Sequence, residues 1–302
     1  MPSRCLVPAN GEVFLDHVGL FVPDFESSPC RLKKLGFALT PFVAHMSSSE
    51  PGVPATSSGT GNQCAMFEAG YLEMLGPTVD TPLSQQLRTQ LARYPGLHLI
   101  AFAANSPERN HTRIAEAAFE PLPLVQLARP VPTETGTETA RFSVIRVPPE
   151  IMPEGRIQIV THHTPDLVWQ PRYQQQPNGA IGLTGVLLCV EDARAAANRF
   201  GGFLNIVPEE QGNTWQLNLA RGRVLFVDSH QFHNMRPDTR VPCLPYIAET
   251  ALSTRDLRAT RTYFDTNGIP HSSLGDQALL ISGAEALGAA FVFHESTTVP
   301  WQ

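Results

Sequence analysis

The sequence repeats one strand-and-helix pattern four times, and this repeat limits the folds that the chain can adopt. In each copy an apolar strand leads to an Asp or Ser able to cap a helix, and a Gly or Asn follows near the end of the helix-like stretch. The four strands begin near Leu15, Leu97, Leu183 and Ile247. Further short strand-like runs follow each helix, so the pattern is βαβββ. Repeated units bury their apolar faces against one another. We therefore expect the chemistry to lie where equivalent strands of paired copies converge.

The repeat predicts an α+β fold built from four βαβββ modules in two domains. The first two copies form an N-terminal domain over 12–170, and the last two form a C-terminal domain over 181–302. The stretch Thr164–Ala180 contains three prolines and a run of three glutamines, which is typical of a linker or lid. The polar segment Met46–Gly61 is interpreted as a loop at the site.

Composition narrows the class of protein. The chain has 302 residues, of which 42% are hydrophobic and 17% charged, which is typical of a globular protein with a sizeable core. A formal net charge of -6 provides no broad basic surface, so nucleic acid is not an expected partner and a small molecule is. No secretion signal and no apolar run of about 18 residues is apparent, which predicts a cytoplasmic protein without a membrane partner. The five cysteines form no Cys-x-x-Cys pair.

Two of the four strands carry a histidine, at what we interpret as equivalent places. Side chains alternate between the two faces of a strand. If Val18 faces the helices, His17 faces the opposite, concave surface of the sheet. The same rule, applied to the second copy, predicts that His98, Ile100 and Phe102 face that surface too.

A carboxylate is predicted on the same surface. In the run Gly70–Leu75, alternation places Leu72 and Met74 in the core and Tyr71, Glu73 and Leu75 on the concave side. A buried carboxylate is costly unless it is paired or bound to a metal. Glu73 with His17 and His98 would form a two-histidine, one-carboxylate triad suited to Fe(II), Mn(II), Ni(II) or Zn(II). Gln158 follows Gly155 by three residues, as Glu73 follows Gly70, so its amide oxygen could complete the metal sphere.

Other residues are candidates for the pocket, each with a structural alternative. Asn62 could bind a substrate oxygen or serve a Gly-Asn turn. Tyr71 and Trp169 could stack on a flat substrate or pack in the core. His162 and His163 could each act as a general base, since imidazole titrates near neutral pH, or could cap the following turn.

The motifs resemble those of a known superfamily. The run Leu15–Leu20 with Gly70–Glu73 resembles the vicinal oxygen chelate superfamily, which includes glyoxalase I, extradiol dioxygenases and fosfomycin-resistance proteins. Gly59–Asn62, Gly70–Leu75 and Thr161–Trp169 resemble its bacterial glyoxalase-like branch. The likeness is strongest from about residue 14 to 192.

The resemblance implies that paired modules curl into a half-barrel around one divalent metal, whether Zn, Ni, Mn or Fe(II). By position, the ligands would be His17, Glu73 and His98, with Gln158 where glyoxalase I usually has a second glutamate. In such enzymes the metal is a Lewis acid that holds two neighbouring substrate oxygens. Related proteins often form homodimers, although two tandem domains can complete a cleft within one chain.

The C-terminal copies lack this donor set. Alignment of the repeats places Gly185 at the position of His17 and Leu225 at the position of Glu73, while Glu249 takes the histidine position of the fourth copy. The second half is therefore predicted to be a structural module without metal.

Three functions remain open at this point. The first is a metal-dependent glyoxalase-like enzyme that acts on a small substrate with vicinal oxygens by lyase or isomerase chemistry. The second is an extradiol-type dioxygenase with Fe(II). The third, from a different class, is a protein that binds or sequesters a small molecule without turnover.

Overall fold

The computed structural model describes residues 6–47, 56–295 and 301, and the part of the predicted loop at 48–55 lies outside this range. Each module begins with a long strand and one helix. The first module contains β1 (Phe14–Phe21), α1 (Ser28–Lys34), β2 (Val43–Ser47), β3 (Thr56–Met66) and β4 (Tyr71–Pro77). After α2 (Pro82–Arg93), the second contains β5 (Gly96–Ala103), α3 (Pro107–Glu116), β6 (Val125–Thr133), β7 (Gly136–Arg146) and β8 (Arg156–His162).

The second half of the chain repeats this order. A short helix α4 (Pro165–Val168) and a 3₁₀ turn (Pro171–Tyr173) lead into it. The third module contains β9 (Ala180–Cys189), α5 (Ala193–Leu204), β10 (Glu209–Gln211), β11 (Thr214–Asn218) and β12 (Arg223–Val227). After α6 (Ser229–Met235), the fourth contains β13 (Tyr246–Thr254), α7 (Leu257–Thr266), β14 (Ser272–Leu274), β15 (Ala278–Ile281) and β16 (Ala290–His294). The predicted α+β fold of four βαβββ modules is confirmed.

The first strands of the modules pair with one another and hold the two halves together. β1 is antiparallel to β5, and β9 is antiparallel to β13. Ile247 of β13 also pairs with Leu97 of β5, so the strands of both halves form one continuous sheet. Within each module the last strand is parallel to the first, as in β1 with β4 and β5 with β8. The boundary between 170 and 181 stays a prediction.

Apolar residues fill both faces of this sheet. Val18, Leu20, Ile100 and Phe102 belong to one large core on the helix side, which continues into the C-terminal half. Phe21, Leu99 and Ala101 belong to a second core on the concave side of the N-terminal half. The prediction that Ile100 and Phe102 face the concave side is therefore wrong, and the cause is a bulge in each first strand.

Each first strand has one extra residue at the same point of the repeat. Asp16 is the extra residue of β1, because Leu15 pairs with Phe102 while His17 pairs with Ala101. His98 is the extra residue of β5, since Gly19 pairs with Leu99 and Leu20 with Leu97. Thr184 and Ala248 hold the same place in β9 and β13. A bulge residue has no partner of its own, and the alternation of faces shifts by one residue beyond it.

The bulges correct the alignment of the first two copies. His17 pairs with Tyr71 of β4, and Leu99 is the residue of β5 that pairs in the same way, with Arg156 of β8. Leu99 is thus the counterpart of His17, and His98 is the counterpart of Asp16. The two histidines do not occupy equivalent positions.

Helix α2 and the segment predicted as a loop over 46–61 also differ from the sequence-based prediction. The capping box of Thr81 and Ser84 begins α2, a helix that the repeat did not predict. The described parts of the segment 46–61 belong to β2 and β3, not to a loop. In the described part of the chain, none of the helices combines the length and the apolar character needed to cross a membrane.

Candidate active site

His17, Glu73 and Gln158 lie on the concave face of the N-terminal half. Glu73 pairs with Gly19 in the β1–β4 ladder, and Gln158 pairs with Ala101 in the β5–β8 ladder. Because the two ladders are related by the repeat, the two side chains hold equivalent positions, as predicted. All three residues are less than a tenth exposed.

His17 is fixed in orientation by its neighbour in the chain. Its Nδ1 lies 2.7 Å from Asp16 Oδ2, and its ring stacks on Tyr71 with centroids 4.4 Å apart. Its other nitrogen, Nε2, is 3.9 Å from Glu73 Oε2. A carboxylate that holds the second ring nitrogen of a histidine is the usual partner of a metal-binding imidazole, because it sets the tautomer and raises basicity.

Asp16 joins two histidines in the protein interior. Its Oδ1 also accepts a hydrogen bond from His162 Nε2 at 3.0 Å, and the residue is fully buried. Burial acts to raise the pKa of Asp16, but the charge and hydrogen bonds of His162 and His17 hold that pKa far below its usual range. Asp16 is therefore an anion that accepts hydrogen bonds from both imidazoles.

Glu73 is also kept ionised. Asn62 Nδ2 donates a 2.6 Å hydrogen bond to Glu73 Oε1. Burial acts to raise the pKa of Glu73, but His17, His45 and the Asn62 hydrogen bond together lower it below its ordinary value. Asn62, which we predicted as a possible contact for substrate, thus contacts the carboxylate and leaves Oε2 on the side of His17.

Gln158 carries an unsatisfied polar atom in this cleft. Its Oε1 is shut off from solvent and has no hydrogen-bond partner among the described residues. Buried amide oxygens of this kind are rare in folded proteins, because each one loses its hydrogen bond to water without replacement. The atom is available to accept a ligand.

His98 does not join His17 and Glu73, contrary to the prediction from the repeat. It is fully buried, its Nε2 donates to the Tyr94 carbonyl oxygen at 2.8 Å, and its ring stacks on Tyr94 with centroids 4.1 Å apart. Phe21 packs against the ring as well, at 5.3 Å. Within residues 6–47, 56–295 and 301, no three or more His, Cys, Asp or Glu side chains are grouped to hold one metal ion. The bulge explains why His98 is directed to Tyr94.

The buried position of His98 predicts a pH dependence of stability. Burial lowers the pKa of His98 from 6.5 to about 4, so the unfolded chain binds a proton there that the folded chain excludes. As pH falls from about 7 to about 5, this group alone should reduce the free energy of unfolding by about 2 kcal/mol. Urea unfolding at both pH values should show this loss in the wild type and a smaller loss in His98→Gln. His230→Gln removes an exposed imidazole instead, and should leave the wild-type profile unchanged; parallel profiles for wild type and His98→Gln would contradict the assignment.

The two candidate bases differ in position. His162 lies inside the cleft, with its ring 4.7 Å from Trp169, and its Nδ1 is buried without a partner in the described part of the chain. His163 is exposed on the other side of the strand, where its Nε2 lies 2.7 Å from Ser143 Oγ. His162 therefore contacts the site through Asp16, and His163 does not.

Tyr71 and Trp169 form an aromatic wall. Their rings meet edge to face at 6.0 Å, and both side chains are almost fully buried. A cavity of about 110 Å³ is lined by Tyr71 and Asn62, together with Arg129 and Tyr173. An apolar pocket with a few polar groups is the usual form of a small-molecule site. Tyr71 can line that pocket, while Trp169 packs behind it.

Four further polar residues lie near these side chains, and the three arginines among them were not predicted. His45 on β2 lies near Glu73, with its Nδ1 3.0 Å from Thr60 Oγ1, and burial lowers its pKa below the ordinary value. Arg129, Arg146 and Arg156 come from β6, β7 and β8. The signal for Arg156 was present in the sequence, since it precedes Gln158 by two residues and so shares its face.

The equivalent positions of the C-terminal half hold a different set of side chains. They are Gly185, Leu225, Glu249 and Val292. Glu249 accepts two hydrogen bonds from the guanidinium group of Arg236, at 2.6 and 3.0 Å, and both residues are less than 5% exposed. This carboxylate is thus part of a buried ion pair, and not a surface group.

Comparison with known proteins places the chain in a family. The family described as "Glyoxalase-like domain" matches residues 15–204, which is well over half of the chain. The protein therefore belongs to the glyoxalase-like domain family of the vicinal oxygen chelate superfamily. No curated protein matches the sequence.

Solved structures with a similar fold have little sequence identity. A hypothetical protein from Staphylococcus aureus superposes with a TM-score of 0.65 at 11% identity, over 94% of this chain and 100% of that one. A mutant of 4-hydroxymandelate synthase from Streptomyces coelicolor gives 0.52 at 13%, over 94% and 93%. A xylose isomerase-like TIM barrel/4-hydroxyphenylpyruvate dioxygenase fusion protein gives 0.58 at 11%, and the match spans 97% of this chain but only half of the fusion. At these identities the likeness concerns the fold alone.

Proposed function

We propose that this protein is a metal-dependent enzyme of the vicinal oxygen chelate type. Its substrate is a small molecule with two neighbouring oxygens, and its chemistry is that of a lyase or isomerase. The observation that carries the proposal is a pair of donors: His17, held through Nδ1, and the ionised Glu73, with 3.9 Å between Nε2 and Oε2. Gln158, on the same face of the sheet, adds an unsatisfied Oε1.

These donors fit one divalent cation. His17 Nε2 and Glu73 Oε2 are 3.9 Å apart, which is close enough for both to reach a common ion with small side-chain movements. Metal–ligand distances of about 2.0–2.2 Å require the donors of one ion to lie near one another. One imidazole, one carboxylate and one amide leave positions open for substrate oxygens, and when bound the ion would act as a Lewis acid on them. Zn, Ni, Mn and Fe(II) are all compatible with mixed N and O donors.

The donor set supports a lyase or isomerase more than an extradiol-type dioxygenase. The ferrous dioxygenase site that we considered from the sequence needs two histidines and one carboxylate. Leu99 stands where the second histidine would be, and His98 is bound to Tyr94. The cleft retains one histidine and two oxygen donors, which suit polarisation of substrate oxygens.

His45 is the group best placed to move a proton. Its pKa is lowered by burial, so the imidazole is neutral near pH 7 and able to accept a proton. Glu73 lies close enough to influence its charge. Asp16 holds His162 and His17 in fixed orientations, and Tyr71 with Trp169 excludes water from one side of the cleft.

Elemental analysis tests the proposal directly. Protein purified without chelators should contain about one equivalent of a divalent metal. Glu73→Gln and His17→Gln should lose most of that metal, because a neutral amide oxygen is a weaker ligand than a carboxylate or an imidazole, and the shape of the side chain changes little. Gln158→Met should weaken calorimetric Mn(II) binding about tenfold or more, since thioether sulfur is a poor ligand for that ion.

His98→Gln is the matched control, because it removes a buried histidine from the same sheet outside the donor set. It should keep full metal content. Wild-type protein without metal would favour binding or sequestration of a small molecule without turnover. Metal loss in His98→Gln would show that His98 is a metal ligand, as the two-histidine hypothesis requires. Oxygen uptake by the wild-type protein with a catechol and ferrous iron would then indicate a dioxygenase.

A further inference from the structure

Two arginines flank Gln158, and the proposed metal site makes no use of them. Arg146 lies directly opposite Gln158 in the β7–β8 ladder. Residues opposed in this way have Cβ atoms about 5 Å apart. Arg156 precedes Gln158 by two residues on β8 and therefore shares its face, with its guanidinium 5.7 Å from the centre of the Phe21 ring. Both arginine side chains therefore extend from the same face of the sheet as Gln158.

These arginines have no protein partner that balances their charge. Over the described ranges, no hydrogen bond or ion pair is formed by either guanidinium group, and Arg146 Nε is shut off from solvent. Burial and the nearby charge of Arg146 lower the pKa of Arg156 to about 10, while Glu73 acts in the opposite direction. Both side chains are partly buried, and burial of an unpaired cation is costly. Glu73 is the carboxylate whose charge acts on both arginines, and it is shared with His17 and Asn62.

The remaining charges of the cleft increase the imbalance. Arg129, whose guanidinium lies 5.2 Å from the centre of the Phe142 ring, adds a third positive charge, and its Nε is also buried without a partner in the described chain. Asp16 is the other buried acid of the site, and two imidazoles already occupy its oxygens. The cleft therefore has more positive charge than its own carboxylates neutralise, although the whole chain is acidic.

We propose that Arg146 and Arg156 bind the acidic group of a small anionic substrate, a carboxylate or a phosphate, next to Gln158. The planar guanidinium group presents paired donors that match the oxygens of both anions. This inference rests on the proposed function for the reacting oxygens, which would lie at His17 and Glu73. Binding of the anion itself depends on the arginines and does not require the metal.

Calorimetric titration of chelator-treated protein with inorganic phosphate, and separately with malonate, tests the subsite. Arg146→Met and Arg156→Met should each weaken binding of the preferred anion by about tenfold or more, because each loses charge-assisted hydrogen bonds. Tighter binding of phosphate would indicate that the substrate carries a phosphate group, and tighter binding of malonate would indicate a carboxylate. Arg146→Lys keeps the positive charge but lacks the paired donors of the guanidinium group. Its affinity for the anion should lie between those of wild type and Arg146→Met, which preserves the test if Arg146→Met does not fold.

Arg141→Met is the matched control, because Arg141 is exposed on the other face of the same strand, β7. It should bind as wild type does. Glu73→Gln should lose metal yet bind the anion at least as tightly, which separates this proposal from the metal site. Failure of wild type to bind either anion, or equal affinities in wild type, Arg146→Met and Arg156→Met, would overturn the subsite.

Discussion

Arg236→Met should lower the free energy of unfolding by about 3–5 kcal/mol, the usual cost of removing one partner from a buried ion pair. Arg236 and Glu249 are both almost fully buried, and the guanidinium donates two hydrogen bonds to the carboxylate. The pKa of Glu249 is raised by burial even with Arg236 present to oppose that effect. Without Arg236 the folded chain must hold this acid in protonated form or as an unpaired charge.

The sign of the pH dependence follows from that protonation. The unfolded chain releases the Glu249 proton above about pH 4.5, whereas the folded variant retains it to higher pH. The loss of stability should therefore grow as pH rises from about 4 to about 7. Urea unfolding at several pH values measures this change.

The double variant Arg236→Met/Glu249→Leu is the control. Apolar replacement of both partners of a buried pair is often neutral or stabilising. We expect the double variant to recover most of the stability lost in the single variant. Equal losses in the single and double variants would show that the residues contribute by packing and not by their charges.

Asp16→Ala should cost about 3–6 kcal/mol of stability, because two charge-assisted hydrogen bonds in the interior are lost and each is worth about 1.5–3 kcal/mol. His17 and His162 would both lose their acceptor, with no water to replace it. The ring of His17 would also lose its fixed orientation. Loss of such a partner typically reduces metal affinity by 10–100-fold.

Two variants make the Asp16 result interpretable. Asp16→Asn keeps the shape and one acceptor oxygen, so its stability and metal affinity should lie between wild type and Asp16→Ala. Asp166→Ala removes an exposed carboxylate from α4, and should change stability by no more than about 0.5 kcal/mol. A loss below about 1 kcal/mol in Asp16→Ala, with metal affinity unchanged, would contradict the role given to this residue.

Alternation along a strand predicted the faces of β4 and β8. Glu73 and Tyr71 were predicted on the concave side and lie there, and so does Gln158 at the position that matches Glu73. These strands pair with their neighbours without a register shift, so a period of two applies along their whole length. Counting residues is reliable in strands of this kind.

The same alternation of side chains predicted the wrong faces for residues of β5. A bulge adds one residue, and sequence gives no sign of it, because Leu97, Leu99 and their neighbours are apolar on both sides of the insertion. Two histidines that match in a sequence alignment are therefore different in role: His17 faces Glu73, and His98 is bound to Tyr94. The shift depends on how β1 pairs with β5, which is a property of the assembled sheet.

The sequence alone determined the modules of this protein, the helix-facing residues of β1 and the strands that supply Glu73 and Gln158, because periodicity and repetition are local properties. The tertiary structure alone decided which side chains meet in the cleft. Asp16 reaches His162 across 146 positions of the chain, and Arg146 meets Gln158 only through strand pairing. Such contacts depend on register, bulges and burial, which arise when distant strands pack together and no local pattern encodes them.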